Sequence, residues 1–379
     1  MVELRRTLHR HPELAFEEEK TAATIIEELE LLSLPYEYDG AGSGVIARLD
    51  AGGDRPTVAL RADMDALPGA ENTDLPFAST IEGKMHACGH DAHMAMVLGA
   101  AHLLSRQPPE IDVRFVFQPA EERGGGARTV LASGALDDVA AIFAGHVTHH
   151  YRVGEVMVAA GTITAQSDRF AIRVTGKGGH AARPHEATDA IVITGLLITA
   201  LQTLVSREID PIHPSVVTIG RIDAGTAPNV IAETALLEGS IRSTRPAVRD
   251  HLHNGIRRMA KALGDLHNAT LEVDIQPGYP PVVNTAAEAQ LAHRAVGEIL
   301  GEQSLMQLDH PSMGAEDFSY YLEQIPGCYV RFGARPVDAE YVPLHNPGFD
   351  IDEGVLPVGA AVFDQIVREA VSVYGDGGG

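Results

Sequence analysis

Apolar and polar positions along this chain repeat with two different periods. Between about 13 and 32, apolar residues such as Ala22, Ile25, Ile26 and Leu29 recur at helical spacing and predict an opening helix. Short apolar runs then return at 57–62, 113–117, 140–144 and 329–332, too short for helices and bounded by turn residues, so they read as strands. Helical patterns such as 92–104 separate several of them. Strands alternating with helices predict an α/β sheet domain, with a central sheet of mixed strand directions.

The middle of the chain follows another rhythm. From about 168 the pattern reads strand 170–174, long helix 189–205, strand 215–222, strand 234–242, helix 247–263 and strand 271–275. That order is βαββαβ, a ferredoxin-like arrangement complete in about 110 residues. Gly278-Tyr279-Pro280-Pro281 provides a natural exit. The expectation is a discontinuous α/β domain over 1–165 and 280–379, interrupted by an inserted domain over 166–279.

Composition narrows the function classes. A length of 379 residues with 45% hydrophobic content suffices for two domains. A formal charge of −23 argues against sequence-independent binding to nucleic acid or anionic membranes, which need clustered Lys and Arg. No stretch approaches the roughly 18 consecutive apolar residues of a membrane span, and the first residues lack the apolar core of a signal peptide. A cytoplasmic location is the default expectation. Two cysteines far apart cannot build a disulfide framework; Cys328, opening an apolar run, reads as a small buried hydrophobe. The glycine-rich segment 375–379 reads as a frayed tail.

Candidate chemistry gathers where the strands end. The 57–62 run leads into Asp63-Met64-Asp65, the 113–117 run towards Glu121-Glu122, and the 140–144 run into Gly145-His146, while Cys88-Gly89-His90 precedes a helix. Ligand sites in open α/β sheets lie outside the carboxyl ends of the strands, so these segments are expected to converge in one crevice. A thiolate, imidazoles and carboxylates together suit transition-metal ions such as Zn²⁺. Glu121 and Glu122, being adjacent, tend to point apart, so that one can ligate while the other faces substrate as a general base. Other polar groups have plainer readings: Glu17-Glu18-Glu19 as a solvated helix face, His149-His150 as a loop, His93 as part of a core helix, Asp91 as support for a turn, and His86 as a neighbour of the site.

The motifs HRHPELAFEE (9–18), LRADMDALP (60–68), MHACGHDAHMAMVLGAA (85–101), FQPAEERGGGA (117–127), GHV (145–147), GKGGHAARPH (176–185), GTAPNVIAE (225–233), SMGAEDFSYYL (312–322) and LHNPGFDIDE (344–353) occur in order from end to end. In them the chain resembles the M20 metallopeptidase family, in its amidohydrolase branch of hippurate, N-acyl-amino-acid and auxin-conjugate hydrolases. The resemblance implies two divalent metal ions, Zn²⁺ or Mn²⁺ with Co²⁺ or Ni²⁺ as alternatives, held by Cys88, His90, Glu122, His146 and His345. It implies Glu121 as general base, Asp65 orienting a ligand, and His180 of the inserted domain stabilising an oxyanion. Asn229 and Arg242 match substrate-contacting positions, Arg242 being suited to a free α-carboxylate. The inserted domain of this family often mediates a homodimer. Two departures stand out: Asp63-Met64-Asp65 replaces the His-x-Asp of other branches, and Arg183 stands where a methionine is often found before Pro-His.

The resulting expectation is metal-dependent hydrolysis of the amide bond of a small N-acyl amino acid. A dipeptidase of the same fold and a catalytically inactive metal-binding protein are the rivals; an intact Glu121 argues against the second.

Overall fold

The computed structural model describes residues 1–375 apart from Asp39, Ala41, Ser43 and Asp54, so most of the expected glycine-rich tail lies outside the described residues. The chain divides into two compact units: Met1–Ile163 with Val283–His310 and Glu316–Gly379, and Thr164–Val282 with Pro311–Ala315.

The first unit is built on an eight-stranded mixed sheet. Its strands lie in the order Tyr36–Tyr38, Val45–Leu49, Asp112–Gln118, Thr57–Asp63, Val139–Arg152, Gly327–Arg335, Val156–Met157, Leu305–Met306. The four central strands, from Asp112–Gln118 to Gly327–Arg335, run parallel, whereas Val45–Leu49 pairs antiparallel at one side. Every residue of Thr57–Asp63 is buried, as a parallel strand covered on both faces requires. The helix His90–Arg106 supplies much of that cover; thirteen of its residues, from His90 to Leu104, are buried, which explains why its sequence is apolar nearly all round.

At the start of the chain the structure departs from expectation. In place of one helix over 13–32 there are two, Val2–Arg10 and Glu19–Leu31. Pro12 disfavours continuation through the intervening segment, and Phe16 takes a left-handed conformation with φ of 63°. Glu18, far from facing solvent, is 2% exposed and turns inward.

The second unit carries a four-stranded antiparallel sheet, Ser215–Ala224, Thr234–Ser243, Gln166–Thr175, Thr270–Pro277 in spatial order, with helices Ala190–Thr203 and Pro246–His267. Strict alternation of buried and less buried residues along Gln166–Thr175 shows one face turned to a core of Phe170, Ile172, Val174, Leu197, Leu237 and Leu252. Asp189 caps the first helix by accepting hydrogen bonds from the Ile191 and Val192 amides. The stretch Ala190–Glu208 is long and apolar enough by length and composition to cross a membrane, with a mean hydropathy of 1.6. It has polar residues in its run, and Ile193, Leu197, Leu201 and Leu204 pack into this unit's core.

Candidate metal centre

Residues distant in sequence meet at the carboxyl end of the central strands of the first unit. The Val139–Arg152 strand pairs with Thr57–Asp63 only as far as Ala144, opposite Arg61. Beyond that point its flank is free of the neighbouring strand, at the level of His146. Here the turn before the helix His90–Arg106 closes in. Gly89 has φ of 89°, and a Cβ on it would lie 2.3 Å from Val147 Cγ2, so both its backbone and its lack of a side chain permit the approach. Cys88 Sγ consequently lies 3.3 Å from His146 Nε2.

The imidazoles are oriented by their other nitrogens. His90 Nδ1 lies 2.7 Å from the Asp65 carbonyl oxygen, and His146 Nδ1 lies 2.6 Å from that of Val147. A carbonyl only accepts, so each Nδ1 carries a proton, and Nε2 is the nitrogen left to present a lone pair when the ring is neutral. His90 Nε2 is buried with no hydrogen-bond partner, a costly arrangement unless something else takes the lone pair. Donor atoms of Cys88, His90 and His146 lie within 4.8 Å of one another, as do those of Cys88, Glu122 and His345. His345 Nε2 is 3.1 Å from Glu122 Oε1. The Cys88 sulfur thus belongs to both three-donor sets, and their mixture of thiolate, imidazole and carboxylate fits divalent metal ions.

Electrostatics agree with that fit. Burial first, and then the Glu122 and Glu121 carboxylates, push the Cys88 thiol well above its ordinary range, so a thiolate here requires a nearby positive charge. Burial pulls the His146 imidazole well down and keeps it neutral. Burial lowers His90 too, but Asp63 and Asp65 outweigh it and raise this group to about 10, so a cation bound here would have to displace a proton from its Nε2. Glu121, 5% exposed, is pushed well above the carboxylate range, by burial first and then by Glu316, Glu122, Asp317 and Asp65. The same surroundings make Glu121 a strong proton acceptor, and a nearby positive charge would be needed to keep it ionised.

The backbone of the Ala120-Glu121-Glu122 turn is held by two acids. Glu18 Oε1 accepts from the Ala120 amide at 2.8 Å, and the two Asp65 oxygens accept from the Glu121 and Glu122 amides at 3.0 Å each. Asp65 therefore acts on the site twice, through its carbonyl on His90 and through its carboxylate on this turn. Ala120 adopts φ of 54°, which such tethering sustains.

Several groups that carried a plain reading in the sequence are tied into the same region. His93 Nδ1 donates to Asp63 Oδ1 at 2.6 Å and its Nε2 accepts from the Val147 amide at 2.9 Å, beside His146. Asp63 is occupied by His93 and by Arg61, whose Nη1 lies 2.6 Å away. Buried Arg61 also donates to Gln118 and Asp317. Asp91 accepts from Arg5 and His9 at 2.7 and 2.8 Å. His86 is buried with neither ring nitrogen hydrogen-bonded. His149 is not in a loop: it lies within Val139–Arg152, 4% exposed. Arg5, His9, Glu316 and Asp317 fall inside or beside quoted motifs, and an ionisable residue within an apolar run, as Arg61 is, was the available signal for the buried network.

In the second unit, His180 pairs with Val230 across a short ladder, and the Ala181 amide donates to the Asn229 carbonyl at 3.2 Å. His180 and Asn229 are thus neighbours, both exposed. Arg242 lies on Thr234–Ser243, part-buried, its Nη1 3.3 Å from the Met313 carbonyl oxygen.

Comparison with known proteins places this geometry among related chains. The pattern of Peptidase family M20/M25/M40 matches residues 59–369. An N-acetylcysteine deacetylase of Bacillus subtilis is 40% identical over 373 residues, covering 97% of this chain and 95% of that protein. An IAA-amino acid hydrolase of Arabidopsis thaliana is 40% identical over 371 residues, covering 96% and 83%. The crystal structure of a Bacillus subtilis protein described as a dinuclear metal binding peptidase from the M20 family superposes with a TM-score of 0.85 at 35% identity, covering 98% of this chain and 97% of that one.

Proposed function

The chain belongs to peptidase family M20, and we propose that it is an amidohydrolase that cleaves the amide bond of small N-acyl amino acids. The observation that carries this reading is one sulfur, that of Cys88, common to two three-donor sets, with the buried Glu121 carboxylate beside them. Relatives named for deacetylation of N-acetylcysteine and for hydrolysis of IAA-amino acids support the substrate class.

In this reading Cys88, His90 and His146 hold one divalent ion and Cys88, Glu122 and His345 the other, as Zn²⁺ or Mn²⁺. When bound, the ions supply a polarised carbonyl and an acidified water. Glu121 takes the proton from the attacking water and delivers it to the leaving nitrogen. Asp65 keeps His90 in the Nδ1–H tautomer and fixes the backbone from which Glu121 and Glu122 project. The residues 166–279 form an inserted, ferredoxin-like lid whose His180 stabilises the oxyanion, while Asn229 and Arg242 contact substrate, Arg242 at its α-carboxylate. The lid also mediates a homodimer; exposed Ile191, Val192 and Leu196 on its first helix support this. Two cysteines without a disulfide accord with action in the cytoplasm.

The test is metal analysis of purified protein coupled to hydrolysis of N-acetyl, N-benzoyl and indole-acetyl amino acids beside Gly-Phe. Turnover of the acyl amino acids is expected. Cleavage of the dipeptide alone would replace this substrate class with a dipeptidase.

A further inference from the structure

We infer that His149 is a positioning residue that presets the 342–350 loop, so that His345 is held against Glu122. The inference rests on the reading of His345 as a metal ligand. His149 lies three residues beyond His146 on the same strand, which places the two side chains on opposite faces. His146 therefore faces Cys88 while His149 faces the loop that carries His345.

The contacts of His149 bracket that loop. Its Nδ1 accepts from the Val342 amide at 3.2 Å, three residues before His345. Its Nε2 lies 2.6 Å from the Asp350 carbonyl oxygen, five residues after it. An amide only donates and a carbonyl only accepts, so the neutral Nε2–H tautomer alone satisfies both. Burial lowers the basicity of the ring and favours this neutral form. The ring also packs on Phe349 with centroids 5.0 Å apart.

Such a clamp has a task to perform. His345 has φ of 66°, a left-handed conformation that is uncommon for residues other than glycine and costs free energy to hold. Its side chain is 53% exposed, so packing does little to hold it. Its amide donates to the Ala87 carbonyl at 2.8 Å, next to Cys88, and the loop must keep its shape for that contact to form. The strand that carries one proposed ligand, His146, thus also anchors the loop that carries another, and the two donor sets are set in place together.

The experiment compares His149→Phe, His149→Gln and His345→Ala by Zn²⁺ competition titration and by amide exchange of the metal-free proteins. Phenylalanine keeps a ring against Phe349 and removes both hydrogen bonds. One of the two Zn²⁺ affinities should fall about 10- to 100-fold, the range found when a partner of a ligand is removed. The other affinity should stay unchanged, and exchange at 342–350 should rise. Glutamine, which retains a donor for the Asp350 carbonyl, should lose less. Wild-type affinities and exchange in His149→Phe would overturn the inference, as would a loss in His149→Gln equal to that in His149→Phe. His345→Ala separates the two ideas: retention of both ions at wild-type affinity overturns the ligand assignment itself, whereas loss of one ion there with none in His149→Phe overturns only the clamp.

Discussion

Replacing Gly89 by alanine should dismantle the centre from a position that touches no proposed substrate. Gly89 stands between Cys88 and His90 with φ of 89°, and an added Cβ would sit 2.3 Å from Val147 Cγ2 and 3.7 Å from Val147 Cβ. Two costs follow. The left-handed conformation costs about 1–2 kcal/mol for an L residue, and forcing a methyl into packed surroundings costs about 1–3 kcal/mol more. The expected loss of stability is therefore about 2–5 kcal/mol, measured by urea denaturation in chelator. If the backbone instead yields, Cys88 moves from its 3.3 Å approach to His146, and a misplacement of about 1 Å can cost about 100-fold in turnover. Val147→Ala removes the clashing methyl but not the backbone strain. The double variant should accordingly recover about 1–3 kcal/mol relative to additive single effects, while keeping the conformational penalty. Wild-type stability and Zn²⁺ affinity in Gly89→Ala would refute the reasoning, and strict additivity with Val147→Ala would refute the steric part of it.

Three further outcomes are expected. Glu121→Gln should keep both metal ions by elemental analysis yet lose at least about 100-fold in kcat; unchanged kcat would remove Glu121 as base. Glu18 is raised from its ordinary value of 4.5 to about 8, by burial first, then by Asp65 and Glu13, against the backbone hydrogen bond from Ala120. The native state then binds more protons than the unfolded chain between these values, so stability falls as pH rises from about 4.5 to about 8 and levels off above. Glu18→Gln, which keeps an acceptor for the Ala120 amide, should lose that slope in metal-free denaturation curves; an unaltered slope would show that Glu18 is not its source. Chelation should lower stability by about 2.7 kcal/mol relative to protein held at 100-fold excess over the dissociation constant of one site, read from denaturation midpoints with and without Zn²⁺; equal midpoints would argue against metal binding by the native state.

The segments that form the centre were legible in the chain, because strand-end loops in an α/β sheet converge by topology. Asp63, Cys88, His90, Glu121 and His146 each follow or flank an apolar run, and the structure brings them together. His345 is different: it lies in a loop with no adjacent run to mark it, and only the motif resemblance pointed to it. The misreadings share a cause. Glu18 looked solvated because Glu17 and Glu19 flank it, yet its partner, Ala120, lies 102 residues away. His149 looked like loop because His150 and polar residues surround it, yet its strand continues to Arg152 by pairing with Gly327–Arg335 alone. The opening helix was placed too early because helical periodicity was carried back across the segment that follows Pro12.

Sequence by itself indicated many of the strands and helices, the change of rhythm that separates the two units, and the strand ends at which cysteine, histidine and carboxylate side chains meet. These follow from periodicity, turn residues and the handed topology of α/β sheets, which act locally or by general rule. Tertiary structure alone decided the tautomers of His90, His93, His146 and His149, the inward turn of Glu18, and the partners of Arg61, one of them 256 residues distant. Those depend on which donor or acceptor a buried side chain meets, and most buried polar groups meet one, but nothing in the neighbourhood along the chain says which.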